Sequence, residues 1–286
     1  MRNGGTEIKM GLFGFNYDTP GPGVPDNLPP KKGVGLFFDI LFRKISKLVG
    51  INILYALCSL PVFAVYFFLS TIHLNPILPA IEESGVSVFV LCMAIGILLM
   101  LLLGGGVLTP GFVYVLRCFV RGEHAFVASD FFEHVKKNLK QSIPVMLIDF
   151  AFVFLMLVNF NIIRQVPSLG VFRIPLYAIA VIYSMVRMYL YILMVTFEAP
   201  LWKIYKYSLA LSLYRLPQNL CILALTVGLY VLMALYLPYP IVMFAIAPLI
   251  LYSFMWTMQM VYTYSVVEKT LDLGKPEEKP ERIFED

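Results

Sequence analysis

The sequence predicts an all-α, polytopic integral membrane protein with about six transmembrane helices and three cytoplasmic amphipathic surface helices. Of its 286 residues, 59% are hydrophobic and 14% are charged, whereas soluble domains have about 25% charged residues. A soluble core has no room for so much apolar surface, so a lipid bilayer is the expected solvent. Apolar runs long enough to cross a bilayer recur along the chain, and basic residues concentrate in alternate loops.

The chain divides into a membrane domain at 34–268 and two polar tails. The tail at 1–33 is rich in glycine and proline, and no long apolar run begins before Leu48. This pattern predicts a flexible or polyproline-like cytoplasmic tail rather than a secretory signal peptide. The tail at 269–286 holds four basic and six acidic residues, which predicts a second solvated cytoplasmic segment.

Six apolar runs reach the roughly 20 residues that span the hydrocarbon layer. They are 48–70, 86–108, 142–163, 174–197, 217–237 and 240–267. The second run continues to Val120, and about 35 residues of helix would measure about 52 Å, too long for one crossing. Gly104, Gly105, Gly106 and Pro110 supply flexibility and a missing backbone donor, which predicts a helix break there. The short helix at 110–120 then either lies on the surface or re-enters the bilayer, which would give seven spans.

A polar stretch, RGEHAFVASDFFEHVKKNLKQ at 121–141, interrupts the apolar runs. Asp130 and Glu133 have the spacing of a capping box, with Asp130 as the N-cap residue, so a surface helix is predicted over 129–141. One face carries an apolar stripe and the other carries lysines: Phe131, Phe132, Val135 and Leu139; Lys136, Lys137 and Lys140. The pattern predicts a helix in the inner-leaflet interface, with its apolar face in lipid and its lysines near anionic headgroups.

Two other stretches have a similar amphipathic pattern. In VGLFFDILFRKISKLV, at 34–49, Asp39, Arg43 and Lys47 fall on one helical face and apolar residues on another. In the stretch 197–217, Pro200 suits a first helical turn, and lysines follow it. The sequence therefore predicts three cytoplasmic surface helices that alternate with membrane hairpins.

Two ionisable residues, Asp149 and Arg187, lie inside predicted spans. Such residues are costly in the bilayer and are functional candidates for that reason. Counted from the cytoplasmic ends of their spans, they lie about 12 Å and about 15 Å deep at 1.5 Å per residue. Consecutive spans with a short connection pack as antiparallel neighbours, so the two side chains are predicted to form an ion pair. Alternatively, each lines a water-filled transport path.

The loop at 198–217 is similar to the loop with which permeases of ABC importers dock on their ATPase subunit. Glu198 and Ala199 open it, and Leu216 and Pro217 close it, at a similar spacing. Pro200 stands where that pattern has a second alanine, and Ile204 stands where it has a glycine. An ordinary interfacial helix remains the alternative interpretation.

The orientation follows from the Lys and Arg residues. Nineteen lie in the two terminal regions and in the loops 109–141 and 198–217, whereas the opposite loops contain Arg164 and Arg173 alone. Cytoplasmic segments are the basic ones, so both termini and the stretch 121–141 are predicted to face the cytoplasm.

Sequence signatures of membrane enzymes are missing from the chain. There is no H-E-x-x-H, G-x-S-x-G, S-x-x-K or phosphate-binding glycine loop. The four cysteines show no metal-binding spacing, and no basic cluster is interleaved with aromatics as in nucleic-acid-binding proteins. We therefore expect neither an enzyme nor a metal, cofactor or nucleic-acid partner.

Three segments carry a resemblance to a known family. They are FGFNYDTPGPGV at 13–24, LTPGFVYVLRCFVRGEHAFVASDFFEHVKKNLKQSIP at 108–144, and TFEAPLWKIYKYSLALSLYRLPQN at 196–219. Together they resemble the YesL-like bacterial integral membrane proteins, which have a domain of unknown function. The resemblance covers nearly the whole chain and implies a bacterial plasma-membrane protein associated with carbohydrate-utilisation genes. It implies no reaction and no catalytic residue.

From the charge layout and this resemblance, we expect a non-enzymatic accessory or regulatory component linked to carbohydrate uptake. Its expected partners are the anionic lipids of the inner leaflet and the subunits of an ABC sugar importer. The alternative is a small membrane transporter in its own right.

Overall fold

The structure, a computed structural model, describes residues 31–74, 88–236 and 252–270, and these residues form helices and no strand. The all-α prediction is therefore confirmed for this part of the chain. The predicted tails at 1–33 and 269–286 lie almost entirely outside the described residues, as does the beginning of the span predicted at 240–267. In chain order the α-helices are α1 Gly33–Arg43, α2 Ile45–Cys58, α3 Leu60–Leu74, α4 Val88–Leu103, α5 Thr109–Val120, α6 Val127–Gln165, α7 Arg173–Thr196, α8 Leu201–Tyr214, α9 Leu216–Tyr236 and α10 Tyr252–Thr270.

The described helices include two that are long and apolar enough to cross a membrane. These are α6 and the segment Pro167–Thr196, which combines a short 3₁₀ helix with α7. Two bent pairs pass the same test together: Ile45–Cys58 with Leu60–Ile72, bent by 62°, and Leu201–Tyr214 with Leu216–Leu232, bent by 94°. The described residues thus contain two candidate spans, or up to four if each bent pair is one span.

Helix α6 joins two elements that the sequence separates. A surface helix at 129–141 and a span at 142–163 are predicted, but one helix of 39 residues runs through both. Pro144 lies inside it and removes one backbone donor without ending the helix. Asp130 does not begin the helix, which starts three residues earlier at Val127. Its Oδ2 instead accepts a hydrogen bond from the backbone N–H of Phe126, at 2.9 Å.

The apolar stripe of 131–139 faces protein as much as solvent or lipid. Phe131 and Val135 are buried, whereas Phe132 and Leu139 are exposed. Helix α5 packs so closely here that a Cβ on Gly111 would lie 2.2 Å from the Phe131 carbonyl oxygen. The prediction that this whole stripe enters lipid is therefore wrong for Phe131 and Val135, because a neighbouring helix covers them. The three lysines of the stretch, Lys136, Lys137 and Lys140, are exposed, and their position near anionic headgroups stays a prediction.

Helix α5 is not a surface helix, because other helices cover it, and whether it re-enters the bilayer stays a prediction. Its prolyl residue, Pro110, lies in the first turn, where the missing N–H costs nothing. Nearly all of its side chains are buried, and it packs against α6, α7 and α10. Most of its residues are apolar, and those that pack against neighbouring helices have the same composition as a membrane segment.

Helices α8 and α9 meet at a sharp bend that a buried asparagine stabilises. Asn219 Nδ2 donates to the carbonyl oxygens of Leu211 and Ser212, at 3.0 Å and 2.8 Å. These carbonyls belong to the last turn of α8, which has no intrahelical partners for them. The side-chain oxygen of Asn219 accepts hydrogen bonds from Tyr189 of α7 and Tyr262 of α10. One side chain therefore both ends α8 and ties the bend to the rest of the bundle.

The other two predicted surface helices also pack one face on protein. In α1, Phe37 and Ile40 are buried while Phe38 and Phe42 are exposed. In α8, the exposed side likewise includes large apolar residues such as Trp202 and Leu213. Both helices therefore have apolar residues on more than one face, and the simple division into a lipid face and a polar face does not describe them.

Candidate functional site

Asp149 of α6 and Arg187 of α7 form a buried ion pair. Arg187 Nη2 lies 2.8 Å from Asp149 Oδ2, and the two side chains are 1% and 0% exposed. The structure thus brings together the two charges that the sequence pairs by their depth in adjacent spans.

Neighbours on α4 and α7 surround the pair. The Tyr183 hydroxyl donates to Asp149 Oδ1 at 2.7 Å, and Arg187 Nη2 also donates to the Leu103 carbonyl oxygen. The guanidinium group lies over the ring of Tyr191, 4.3 Å from its centroid. Nε and Nη1 of Arg187 are buried without a hydrogen-bond partner. The carboxylate is therefore better satisfied than the guanidinium.

The break between α4 and α5 lies beside this pair. Gly104 and Gly106 have φ of 86° and 63°, which glycine adopts readily because it has no Cβ. A helix break inside a bilayer must satisfy the backbone groups that it frees. The Leu103 carbonyl accepts from Arg187, the Gly105 N–H donates to the Tyr55 hydroxyl, and the Gly106 carbonyl accepts from Tyr191 at 3.3 Å.

The packing around the break is close. A Cβ on Gly105 would lie 2.3 Å from Ser59 Oγ, and one on Gly106 would lie 2.6 Å from Met146 Sδ. Ser59 is the residue between α2 and α3, where the first bent pair turns. Two helix breaks thus meet next to the buried ion pair, and the pair helps to hold the α4–α5 break to α6 and α7.

A second feature is a cavity of about 850 Å³ at the end of the bundle where α5 and α7 finish and α8 begins. Its lining includes four basic side chains and one carboxylate: Arg117, Arg121, Lys137 and Lys140; Glu198. We call it the basic cavity. It also contains the amide and imidazole side chains of Asn138, Gln141 and His134.

The basic cavity joins two segments that the sequence identifies separately. Lys137 Nζ lies 3.5 Å from a carboxylate oxygen of Glu198, and Gln141 Nε2 donates to the Ala199 carbonyl at 2.9 Å. The lysine-bearing stretch and the start of the predicted coupling loop therefore form one wall. Leu216 and Pro217, which close that loop in sequence, begin α9 beyond the bend and do not line the cavity.

Arg117 is the most enclosed base of the cavity. Its side chain is held by Nη1, which donates to the Val195 carbonyl at 2.7 Å and to Thr196 Oγ1 at 3.2 Å. The guanidinium group lies over the ring of Tyr114, which stacks in turn on His134. Nδ1 of His134 lies 3.0 Å from the Asp130 carbonyl oxygen. A charged group is thus fixed in orientation at the cavity wall.

One further base lies close to α5. The Lys44 ammonium group, between α1 and α2, lies over the ring of Phe119, 4.8 Å from its centroid. Partial burial, with repulsion from Lys47 and Arg43, lowers the pKa of Lys44 below its ordinary value. The contact fixes the turn between α1 and α2 against α5.

Several of these residues were missed by reasoning from the sequence. Arg117 has the same signal as Asp149 and Arg187, a charge inside an apolar run. The helix break predicted at Gly104 to Pro110 placed it instead in the cytoplasmic segment 109–141. Tyr183 and Tyr191 look like ordinary apolar-face aromatics.

In the part of the chain that the structure describes, no group of three or more His, Cys, Asp or Glu side chains is placed to bind a metal ion. No family model, curated protein or solved structure matches the chain.

Proposed function

We propose that this chain is a non-enzymatic, multi-pass protein of the bacterial plasma membrane that assists or regulates carbohydrate uptake. In this proposal it has six spans, with both termini and the basic cavity in the cytoplasm. The nineteen-to-two distribution of basic residues supports the orientation. The six predicted spans each overlap a helix of the described residues, and the resemblance to the YesL-like proteins supports the link to carbohydrate uptake.

The observation that carries the accessory role is the joining of two polar segments across the basic cavity. The Gln141–Ala199 hydrogen bond joins 127–141 to 198–200, and the exposed Lys137–Glu198 pair lies across the same contact, so the two segments form one face. A partner that binds this face loses little conformational freedom in the surface that it meets, which favours affinity. Subunits of an ABC sugar importer are the partners that we propose.

Co-purification from the native membrane tests this role. A tagged protein should retain the permease or ATPase subunits of a sugar importer, and Lys137→Glu should reduce the retained amount because it replaces the Glu198 ion pair with repulsion. Arg164→Glu makes the same charge change in the last turn of α6, away from the basic cavity, so it should leave retention unchanged. If the native protein retains no importer subunit, or if both variants lose it equally, the accessory role is wrong.

A transporter is the second candidate, and the two helix breaks beside Asp149 and Arg187 favour it. Transporters commonly bind substrates where discontinuous helices meet near the middle of the bilayer, and Arg187 has buried N–H groups without a partner. Flux of a sugar into liposomes that contain only the purified protein, lost in Arg187→Gln, would establish this function. Retained importer subunits without such flux would establish the accessory role instead.

A further inference from the structure

We propose that the basic cavity binds a phosphomonoester, a doubly charged phosphate group on a small hydrophilic or lipid body. The proposal deepens the proposed function, because it assigns a ligand class to the same face. It rests on that function for the cytoplasmic position of the cavity, whereas binding itself is measured on the purified protein without an importer subunit.

Charge gives the first argument. Four of the five ionised side chains that line the cavity are basic. Arg121 is paired with Glu123 at 2.8 Å, and Lys137 is paired with Glu198. Within the described residues, no carboxylate pairs with Arg117 or Lys140. Two positive charges therefore face the cavity without an acidic partner, which attracts an anion of more than one charge.

Arg117 gives the second argument, because it is buried and partly unsatisfied. Its side chain is 9% exposed, and its Nε is buried without a hydrogen-bond partner. Nη1 is already bound to α7, and Tyr114 supports the flat face of the guanidinium group. A planar guanidinium held in one orientation matches the two oxygens of a phosphate group better than a mobile lysine does.

The third argument is the backbone that adjoins the cavity. Helix α8 begins at Leu201, directly after Pro200, which lines the cavity, and no side chain caps this helix. The N–H groups of Lys203 and Ile204 already donate to the Pro200 carbonyl oxygen, so the helix start contributes its partial positive charge rather than free donors, and this charge favours a nearby phosphate group. This effect adds to Arg117 and Lys140.

The size and the remaining lining indicate what the phosphate group is attached to. About 850 Å³ falls within the range of small-molecule sites, roughly 300–1,000 Å³, and exceeds the needs of a bare phosphate ion. The amide nitrogens of Asn138 and Gln141 donate to the carbonyl oxygens of His134 and Ala199, and their amide oxygens can accept hydrogen bonds from hydroxyl groups of the ligand. A soluble sugar or glycerol phosphate has this chemistry, and so does the headgroup of a phospholipid with a terminal phosphate.

The experiment uses the full chain, purified and placed in phosphatidylcholine nanodiscs. One arm titrates sn-glycerol 3-phosphate and measures heat of binding and the rise in melting temperature. The other arm replaces part of the phosphatidylcholine with phosphatidic acid, which has the same phosphate group on a lipid. A saturable response to glycerol phosphate identifies a soluble ligand. A response to phosphatidic acid alone identifies a lipid headgroup, and either result supports the proposal.

Variants separate this site from general attraction to positive charge. Arg117→Gln should weaken binding by roughly tenfold or more, because one charged hydrogen-bonding group is lost. Lys140→Gln changes an exposed residue and should weaken binding by about threefold without affecting folding. Lys136→Gln removes the same charge from the same helix outside the cavity lining, so it should leave the binding of glycerol phosphate unchanged.

Two results would overturn the proposal. One is that neither probe binds to the folded protein in nanodiscs. The other is that Lys136→Gln and Lys140→Gln weaken binding equally, which would show attraction to the basic surface rather than to the cavity. Because co-purification with importer subunits is measured separately, a failure of phosphate binding would leave the accessory role standing.

Discussion

At the scale of single residues, the Asp149–Arg187 pair determines how the middle of the molecule is held together. Both side chains are almost fully enclosed, so neither can turn to water if its partner is removed. Arg187 also satisfies the Leu103 carbonyl at the break between α4 and α5. The pair therefore stabilises the contact between α6 and α7 and a backbone group that has no helical partner.

A double-mutant cycle on thermal stability tests this role. Asp149→Asn or Arg187→Gln should each lower the free energy of unfolding by about 3–5 kcal/mol, because each leaves an uncompensated buried charge. The combined variant should lose less than the sum of the two. Tyr183→Phe removes one hydrogen bond to Asp149 and should cost about 1–2 kcal/mol. Additive losses for the pair would mean that the two charges act independently.

This pair could be predicted from the sequence because a charge within an apolar span is costly in any fold, so each such charge is expected to have a partner. Depth along each span was enough to match Asp149 with Arg187. The partners Tyr183, Tyr191 and Leu103 could not be predicted in the same way. A tyrosine is common on an apolar face, and a backbone carbonyl has no sequence signal at all.

At the scale of elements, the contact between α5 and α6 depends on the absence of a side chain at Gly111. A Cβ there would come within 2.2 Å of the Phe131 carbonyl oxygen, and a helix backbone cannot move aside cheaply. This close approach buries Phe131 and Val135 and forms one side of the basic cavity, because Tyr114 and Arg117 belong to α5.

Gly111→Ala should therefore lower the melting temperature and disturb the helix packing that forms one side of the basic cavity. Gly50→Ala is the matched control, since a Cβ there meets nothing within 4 Å and alanine favours a helix over glycine by about 1 kcal/mol. The control should leave the melting temperature unchanged or raise it. Equal destabilisation by both substitutions, measured by thermal unfolding of the purified protein, would contradict the close packing of α5 on α6.

Element boundaries show where reasoning from the sequence succeeds and fails. The span at 174–197 matches α7, and Pro110 correctly placed the start of α5, because proline and glycine act on the local backbone. The stretch 129–141 was wrongly separated from 142–163, because a change from polar to apolar residues does not end a helix. The apolar stripe of this stretch was predicted to face lipid. Residues that pack against a neighbouring helix such as α5 have the same spacing in sequence as residues that face lipid.

At the scale of the whole molecule, the basic cavity and the polar segments around it belong to one end of the bundle. Arg164 and Val171 lie where α6 leads into α7, the turn that the charge distribution assigns to the outside. The proposed partner, the proposed phosphate ligand and the predicted coupling loop all require the cavity end to face the cytoplasm. The orientation of the chain is therefore the claim on which the account depends.

Cysteine labelling in intact cells tests this orientation most directly. The native cysteines are first replaced by alanine: Cys58, Cys92, Cys118 and Cys221. Lys137→Cys then reports on the cavity, and Val171→Cys, at an exposed position, reports on the turn between α6 and α7. A membrane-impermeant maleimide should label Val171→Cys from outside and should label Lys137→Cys only after the membrane is permeabilised. Strong labelling of Lys137→Cys in intact cells, with Val171→Cys protected, would contradict the account.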